Sequence, residues 1–124
     1  MNVAFFDEFN AWESFAACVQ YTNDREYCAK AVELLAEAEV RRTYTYGSDR
    51  VRFHVLLPPR IKRFAMATDR GRRAVVIFID IGNATAVLFF ERSDGEFKLK
   101  FVDWITTELK ALKNPHPAAF TQHS

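Results

Sequence analysis

Residues 74–90 read AVVIFIDIGNATAVLFF and contain two apolar runs on either side of a turn. The first run, 74–81, is almost unbroken, which is typical of a strand covered on both faces. Gly82-Asn83 is a hairpin signal, and residues 84–90 form the second apolar run. The pattern predicts two paired antiparallel strands at the centre of a sheet.

Segments with a period of two lie on both sides of this hairpin. Before it, residues 40–46 and 51–57 alternate and are separated by the turn residues 47–49, Gly-Ser-Asp. After it, residues 97–101 alternate between apolar and charged side chains. Such alternation predicts half-buried strands. Residues 60–68 fit a helical turn and a strand equally well.

Helical periodicity appears towards the two ends of the chain. Asn10 lies three residues before Glu13, which predicts an N-cap at the start of a first helix. Asn23 likewise lies three residues before Glu26, which predicts a second N-cap, and a second helix is predicted over roughly 24–38. Apolar residues recurring through 102–112 predict a closing helix.

Helices followed by strands and then by a helix are the α+β pattern. At 124 residues the chain fits one domain, and its connections are too short for repeated parallel crossovers. We therefore predict a single domain over 1–113, with two N-terminal helices, a mostly antiparallel sheet of about five strands and a C-terminal helix. Residues 114–124, with two prolines and no period, are expected to form a flexible tail.

Charge is strongly segregated along the sequence. Residues 41–73 hold ten Lys or Arg and two acidic residues, whereas the preceding forty residues hold two basic and eight acidic ones. The total is only +1. Nine of the ten basic residues are arginine, which binds phosphate or carboxylate in bidentate fashion and stacks on aromatic rings. This segment is therefore the candidate binding region.

Strand parity selects the candidate residues within that segment. Arg42, Tyr44 and Tyr46 alternate along the strand before the Gly47-Ser48 turn, and Arg50, Arg52 and His54 alternate along the strand after it. If the two strands pair across the turn, all six side chains are predicted to lie on one basic and aromatic face. Two further arginines follow the second strand. The predicted partner-binding residues are Arg42, Tyr44, Tyr46, Arg50, Arg52, His54, Arg60 and Arg63.

The chemistry of this face favours an acidic protein surface as the partner. The predicted function is a non-enzymatic protein-binding regulator: an inhibitor, immunity-type or adaptor protein, a kind that phages and plasmids often encode. A nucleic-acid-binding protein is the alternative, although a charge of +1 is far below the basic balance of such domains. A small metal-independent ribonuclease-type toxin is a second alternative, because Arg, Tyr and His can position a phosphate and move protons. Pairing of the arginines with the acidic helices would leave no such face.

Sequence patterns of enzymes and metal sites are missing. There is no Walker loop, no G-x-G-x-x-G and no G-x-S-x-G. The histidines other than His54 are His116 and His123, both in the C-terminal tail and without metal-ligand spacing to a cysteine. We therefore predict no enzymatic activity, no metal and no cofactor.

One short motif points to phosphate. Residues 77–85, IFIDIGNAT, resemble the first phosphate-binding segment of actin-like and sugar-kinase ATPases, where an Asp ends a buried strand before a Gly-containing hairpin. The resemblance covers this segment alone, and only 39 residues follow Thr85. Those folds need two large domains and a second phosphate loop. We expect instead that Asp80 accepts hydrogen bonds within the turn.

The remaining features concern the cellular compartment. Cys18 and Cys28 both fall in predicted helices, and two cysteines are too few for a disulfide framework, so we expect two reduced, buried thiols. No apolar run approaches the roughly 20 residues that span a bilayer. The start, MNVAFFD, has no basic region like that of a signal peptide. A soluble cytoplasmic protein with no membrane partner is expected, and its oligomeric state is left open.

Overall fold

The computed structural model describes residues 2–106, which form one α+β domain of two helices and seven strands. The helices are α1, Ala11–Thr22, and α2, Arg25–Arg41. The strands are β1 (Asn2–Phe6), β2 (Thr43–Gly47), β3 (Arg52–Leu56), β4 (Arg63–Asp69), β5 (Arg72–Ile81), β6 (Ala84–Ser93) and β7 (Glu96–Thr106).

Five strands form the main sheet, in the order β1-β4-β5-β6-β7, and every neighbouring pair is antiparallel. β5 is its central strand, and it pairs with β6 from Ala74 opposite Glu91 to Ile81 opposite Ala84. The predicted central hairpin is therefore confirmed. β2 and β3 form a separate two-stranded sheet.

The membership of the main sheet differs from the sequence-based prediction. β1 occupies a segment for which no element was predicted, and β4 settles the ambiguous residues 60–68 in favour of a strand. The two strands pair with each other, from Asn2 opposite Thr68 to Phe6 opposite Phe64. Because this pairing joins distant parts of the chain, the local pattern of neither segment reveals it.

Capping residues set the start of α1 and the boundary between the two helices. Asn10 caps α1 as predicted, and its side chain accepts from the Glu13 N–H at 3.0 Å. The predicted capping role of Asn23 is wrong, because Asn23 ends α1 in the left-handed conformation at φ 54°, a region that Asn tolerates. Asp24 caps α2 instead, accepting from the Tyr27 N–H at 3.0 Å.

The predicted closing helix is wrong over its first part. β7 continues to Thr106, and Val102 lies opposite Leu88 of β6. The ten-residue β6 offers β7 a ladder of backbone hydrogen bonds, so tertiary pairing overrides the helical spacing of the apolar residues. The rest of that helix, 107–112, and the predicted tail, 114–124, lie outside the described residues.

The main sheet is covered on one face only within residues 2–106. Val75, Ile77 and Ile79 point towards the helices and the β2–β3 hairpin and are buried in one core cluster. Val76 and Phe78 point the other way and stay partly exposed. The prediction that residues 74–81 are covered on both faces is therefore wrong for the described part of the chain. The side chains on the other face are large and apolar, which makes the run look fully buried in the sequence.

A disulfide joins Cys18 of α1 to Cys28 of α2, so the prediction of two reduced thiols is wrong. The helices pack so that the two Cα atoms lie 5.7 Å apart, and both side chains are fully buried. The two cysteines are 10 positions apart in the sequence. In the chain-entropy account, closing a loop of this length stabilises a fold by about 3 kcal/mol. The cysteines of this chain therefore do not indicate a reducing compartment. No helix within residues 2–106 is long and apolar enough to cross a membrane.

Candidate functional site

The register of the β2–β3 hairpin divides the predicted binding residues between two faces. Tyr44 lies opposite Val55, whereas Thr45 lies opposite His54 and Gly47 opposite Arg52. Directly opposite residues share a face of an antiparallel pair. The tyrosines and the Arg52–His54 pair therefore lie on opposite faces, and the predicted single basic and aromatic face is wrong.

The length of the hairpin loop causes this division. The four residues from Ser48 to Val51 connect the strands, so even-numbered positions of β2 lie opposite odd-numbered positions of β3. The Ser48 N–H donates to the Val51 carbonyl over 2.8 Å. Gly47 has φ 136°, and a Cβ there would collide with the Val51 carbonyl oxygen. Glycine is therefore required for this turn.

The two tyrosines attach the hairpin to the main sheet. Tyr44 is buried, and its ring meets that of Phe90 edge to face at 5.2 Å. Burial raises the pKa of the Tyr44 phenol, and its hydroxyl has no hydrogen-bond partner among the described residues. The Tyr46 hydroxyl donates to the Lys100 carbonyl of β7 over 2.7 Å. These side chains position the hairpin and are not free to form the predicted face with the arginines.

The outward face of the hairpin mixes basic and apolar side chains. Arg52 and His54 are exposed on it, and Leu56 continues it with 65% of its surface exposed. Thr45 Oγ1 lies 3.2 Å from His54 Nδ1, within hydrogen-bond distance. In the neighbouring loop the Arg50 side chain has no partner among the described residues, so its charge is available to a ligand.

An apolar groove of about 750 Å³ lies beside this face. The hairpin and the residues after it supply one side, and the inner faces of β5 and β7 supply the other. Its apolar lining is Val55, Leu56, Leu57, Pro58, Ile79, Ile81 and Val102, and three members of the predicted set, Arg42, Arg52 and His54, also line it. The structure therefore brings these three together around an apolar cavity.

The end of α2 holds Arg42 in place at this groove. Arg42 is the C-cap of α2 at φ 63°, and its N–H donates to the Ala38 carbonyl. The Leu57 N–H donates to the Arg42 carbonyl over 2.7 Å, and the Arg42 side chain donates to the Leu57 carbonyl at 3.4 Å. Helix, hairpin and groove are therefore connected through one residue.

The last two predicted residues lie elsewhere. Arg60 forms an ion pair with Glu8 at 3.1 Å. Arg63 extends from the uncovered face of the main sheet, 3.5 Å from Asp80 and above the ring of Phe78. Neither lines the groove, so the predicted set is distributed over three regions of the surface.

Half of the Lys and Arg side chains in residues 41–73, the basic segment, form ion pairs within the chain. Five of its ten Lys and Arg side chains pair with carboxylates, and Arg41 and Arg42 donate to backbone carbonyls. The exposed pairs contribute little free energy, so a ligand can compete for those arginines. The paired residues are Arg52, Arg60, Arg63, Arg72 and Arg73.

The Asp80 motif forms an ordinary hairpin turn. The Thr85 hydroxyl donates to Asp80 Oδ1 over 2.8 Å across the β5–β6 connection. The expectation that Asp80 accepts a hydrogen bond within the turn is confirmed. With Arg63 nearby, this carboxylate has both a neutral and a charged partner.

The constellation that a ribonuclease would use is not assembled at the hairpin. His54 is exposed on the outward face, whereas Tyr44 and Tyr46 point to the main sheet. Among residues 2–106, no three His, Cys, Asp or Glu side chains are grouped so that they could hold a metal ion. What the geometry provides is an apolar groove with basic side chains.

Sequence reasoning missed the apolar part of this site. Leu56 and Ile81 are both more than half exposed and line the groove. Leu56 has the same strand parity as Arg52 and His54, and that parity is the signal that could have identified it. For Ile81 no local signal exists, because it ends a run of core residues.

The chain was also compared with known proteins. No protein-family model, no curated protein and no solved structure matches it.

Proposed function

We propose that this protein is a non-enzymatic protein-binding regulator, of the inhibitor, immunity or adaptor type, and that it docks through the outward face of the β2–β3 hairpin and the adjoining groove. The observation that carries this proposal is the apolar groove lined by Arg42, Arg52 and His54. A concave apolar surface with a few convergent polar groups is the usual form of a binding site.

The chemistry of the groove defines the partner. An apolar side chain of the partner would contact Leu56 and Ile81, which are both more than half exposed, and would be removed from water in the groove. A carboxylate of the partner would pair with Arg52. The existing pair between Arg52 and Asp49 spans 3.6 Å and joins two exposed side chains, so it is weak and the partner's carboxylate can replace Asp49. Arg50 adds a further charge. The proposed partner is therefore an acidic protein surface that presents an apolar residue.

The nucleic-acid alternative receives less support from the same geometry. Proteins that bind single strands stack bases on exposed aromatic rings, whereas Tyr44 is buried against Phe90 and the Tyr46 hydroxyl is bonded to β7. A phosphate backbone would also gain nothing from the apolar wall of the groove. The ribonuclease alternative depends on the same tyrosines and weakens with them.

The disulfide bears on where the protein would act. Cys18–Cys28 favours a compartment in which disulfides persist. We therefore place its action in such a compartment, in preference to the cytoplasm predicted from the sequence.

Capture of partners from the native host by the full chain tests this function. Parallel samples with and without nuclease treatment separate the two classes of partner. We expect a protein that is retained after nuclease treatment and is lost when Leu56→Asp places a charge on the apolar lining of the groove. The matched control is Val40→Asp, which changes an exposed residue of α2 outside the groove. Recovery of nucleic acid alone would overturn the proposal.

A further inference from the structure

The uncovered face of the main sheet is a second candidate interaction surface. We call it the open face and define it by Phe5, Val76, Phe78, Val87, Phe89 and Phe101. These side chains point away from the helices, and no element within residues 2–106 covers them. Phe5 is 75% exposed and Phe101 43% exposed, and the other four side chains, which lie between them, are partly exposed. Contiguous exposed apolar surface of this kind marks an interaction site.

The open face has both projections and a hollow. Ala67 and Ala74 lie directly opposite each other on β4 and β5, and a cavity of about 160 Å³ lies over them beside Phe89. On β7, the ring of Phe101 stacks on Phe89 at 4.7 Å. Small side chains beside large ones allow two such surfaces to interdigitate, which is how facing sheets pack.

Charges of both signs surround these apolar residues. Arg63 lies 3.5 Å from Asp80, and Arg72 donates to Glu91 over 2.7 Å. A partner of one strong charge would find as much repulsion as attraction here. A second copy of the chain brings the same mixture, and a two-fold rotation can set each arginine against a carboxylate of the other copy.

The size of the face fits the same partner. Five strands of 5 to 11 residues, at roughly 4.8 Å spacing and about 3.3 Å per residue, give an area of about 700 Å². A stable interface buries about 800 Å² on each side. We propose that two copies of this chain pack open face against open face, as a two-fold dimer of stacked sheets. This surface lies apart from the hairpin and groove, so the inference does not depend on the proposed function.

Sedimentation of the full chain over a range of concentrations tests the dimer. We expect a species of twice the chain mass, and we expect Phe5→Asp with Phe101→Asp to weaken its dimerisation at least about 30-fold, because each places a charge where an aromatic side chain would be buried. The matched control is Trp12→Asp with Val40→Asp, two exposed apolar residues on the helices. The control is expected to change the constant less than about threefold, since contacts outside an interface are neutral.

Two results would overturn the dimer. One is a wild-type chain that stays monomeric at every concentration measured. The other is a dimer whose affinity is unchanged by the open-face substitutions in a folded variant, whatever the helix control does. Far-UV circular dichroism checks the fold of each variant. If the double variant is unfolded, Phe5→Asp alone replaces it, since Phe5 lies on an edge strand and is highly exposed.

Discussion

Arg73 of β5 donates its Nε hydrogen to a carboxylate oxygen of Asp24, the N-cap of α2, over 2.8 Å. This bond joins the basic segment to an acidic helix across 49 positions of the sequence. Arg92 makes a similar bond to Glu26 in the first turn of the same helix, at 2.7 Å. Part of the charge segregation in the sequence is therefore used to attach α2 to the sheet, and those arginines are not free for a partner.

The Asp24 contact predicts a specific dependence of stability on pH. The hydrogen bond from Arg73, with that from the Tyr27 N–H, holds the pKa of Asp24 below its ordinary value of 3.8. A carboxyl whose pKa is lower in the folded state contributes stability that is complete above its unfolded pKa and is lost as the pH falls through the folded one. The contribution is therefore present above about pH 4 and disappears below it.

Urea unfolding of the wild type and of Asp24→Asn at several pH values measures this contribution. Asn can still cap the helix, so the variant removes mainly the charge. The free energy of unfolding should fall more steeply below pH 4 in the wild type than in the variant. Parallel curves for the two proteins would contradict the assignment.

Two buried tyrosines are expected to respond oppositely to loss of their hydroxyl groups. The Tyr27 hydroxyl donates to the Ala74 carbonyl over 2.5 Å, and burial raises the pKa of this phenol. Tyr27→Phe should lower the free energy of unfolding by about 1–2 kcal/mol. Tyr44→Phe should be neutral or slightly stabilising, because its buried hydroxyl has no partner among the described residues. Thermal or urea unfolding compares the two, and equal losses would show that Tyr44 has a partner.

Charge reversal at the hairpin tests the docking surface. Arg50→Glu with Arg52→Glu should weaken partner binding more than about tenfold, or about 1.4 kcal/mol. Binding should also weaken as salt is added, since exposed charges are screened beyond roughly 8 Å at physiological ionic strength. Calorimetry or surface-based binding assays with the captured partner measure the dissociation constant of each variant and its dependence on salt.

Two control variants accompany this measurement. Lys62→Glu with Arg70→Glu makes the same change in net charge at exposed side chains without a partner in the described part of the chain, and it should leave affinity nearly unchanged. Glu33→Lys with Glu37→Lys tests the polar face of α2. If that pair abolishes binding and the hairpin variant does not, the acidic helix is the docking surface.

Two substitutions distinguish the faces of the main sheet. Ile79 is 5% exposed in the core, and Ile79→Ala should cost about 2–5 kcal/mol of unfolding free energy. Phe89 appears equally central in the sequence, but it lies on the open face and stacks on Phe101. Phe89→Ala should therefore cost about 1 kcal/mol in the monomer. Its cost should rise with protein concentration if the open face is a dimer interface. Equal and concentration-independent losses would place Phe89 in the core.

The sequence by itself determined those features whose cause is local. The β5–β6 hairpin follows from two apolar runs around Gly82-Asn83, and the start of α1 follows from Asn10 and the backbone three residues later. In both cases the decisive contacts join residues close in the chain, where propensity and periodicity act directly. The class of the fold and its central strand could therefore be predicted.

Only the tertiary structure decided features that depend on contacts between distant segments. The β1–β4 pairing and the Cys18–Cys28 bond are examples. The candidate site is another, because a four-residue loop placed Tyr44 inward and Arg52 outward, although both have even numbers. A change of one residue in register exchanges the two faces of a strand. Residue types along one strand therefore do not determine which side chains of its partner share their face.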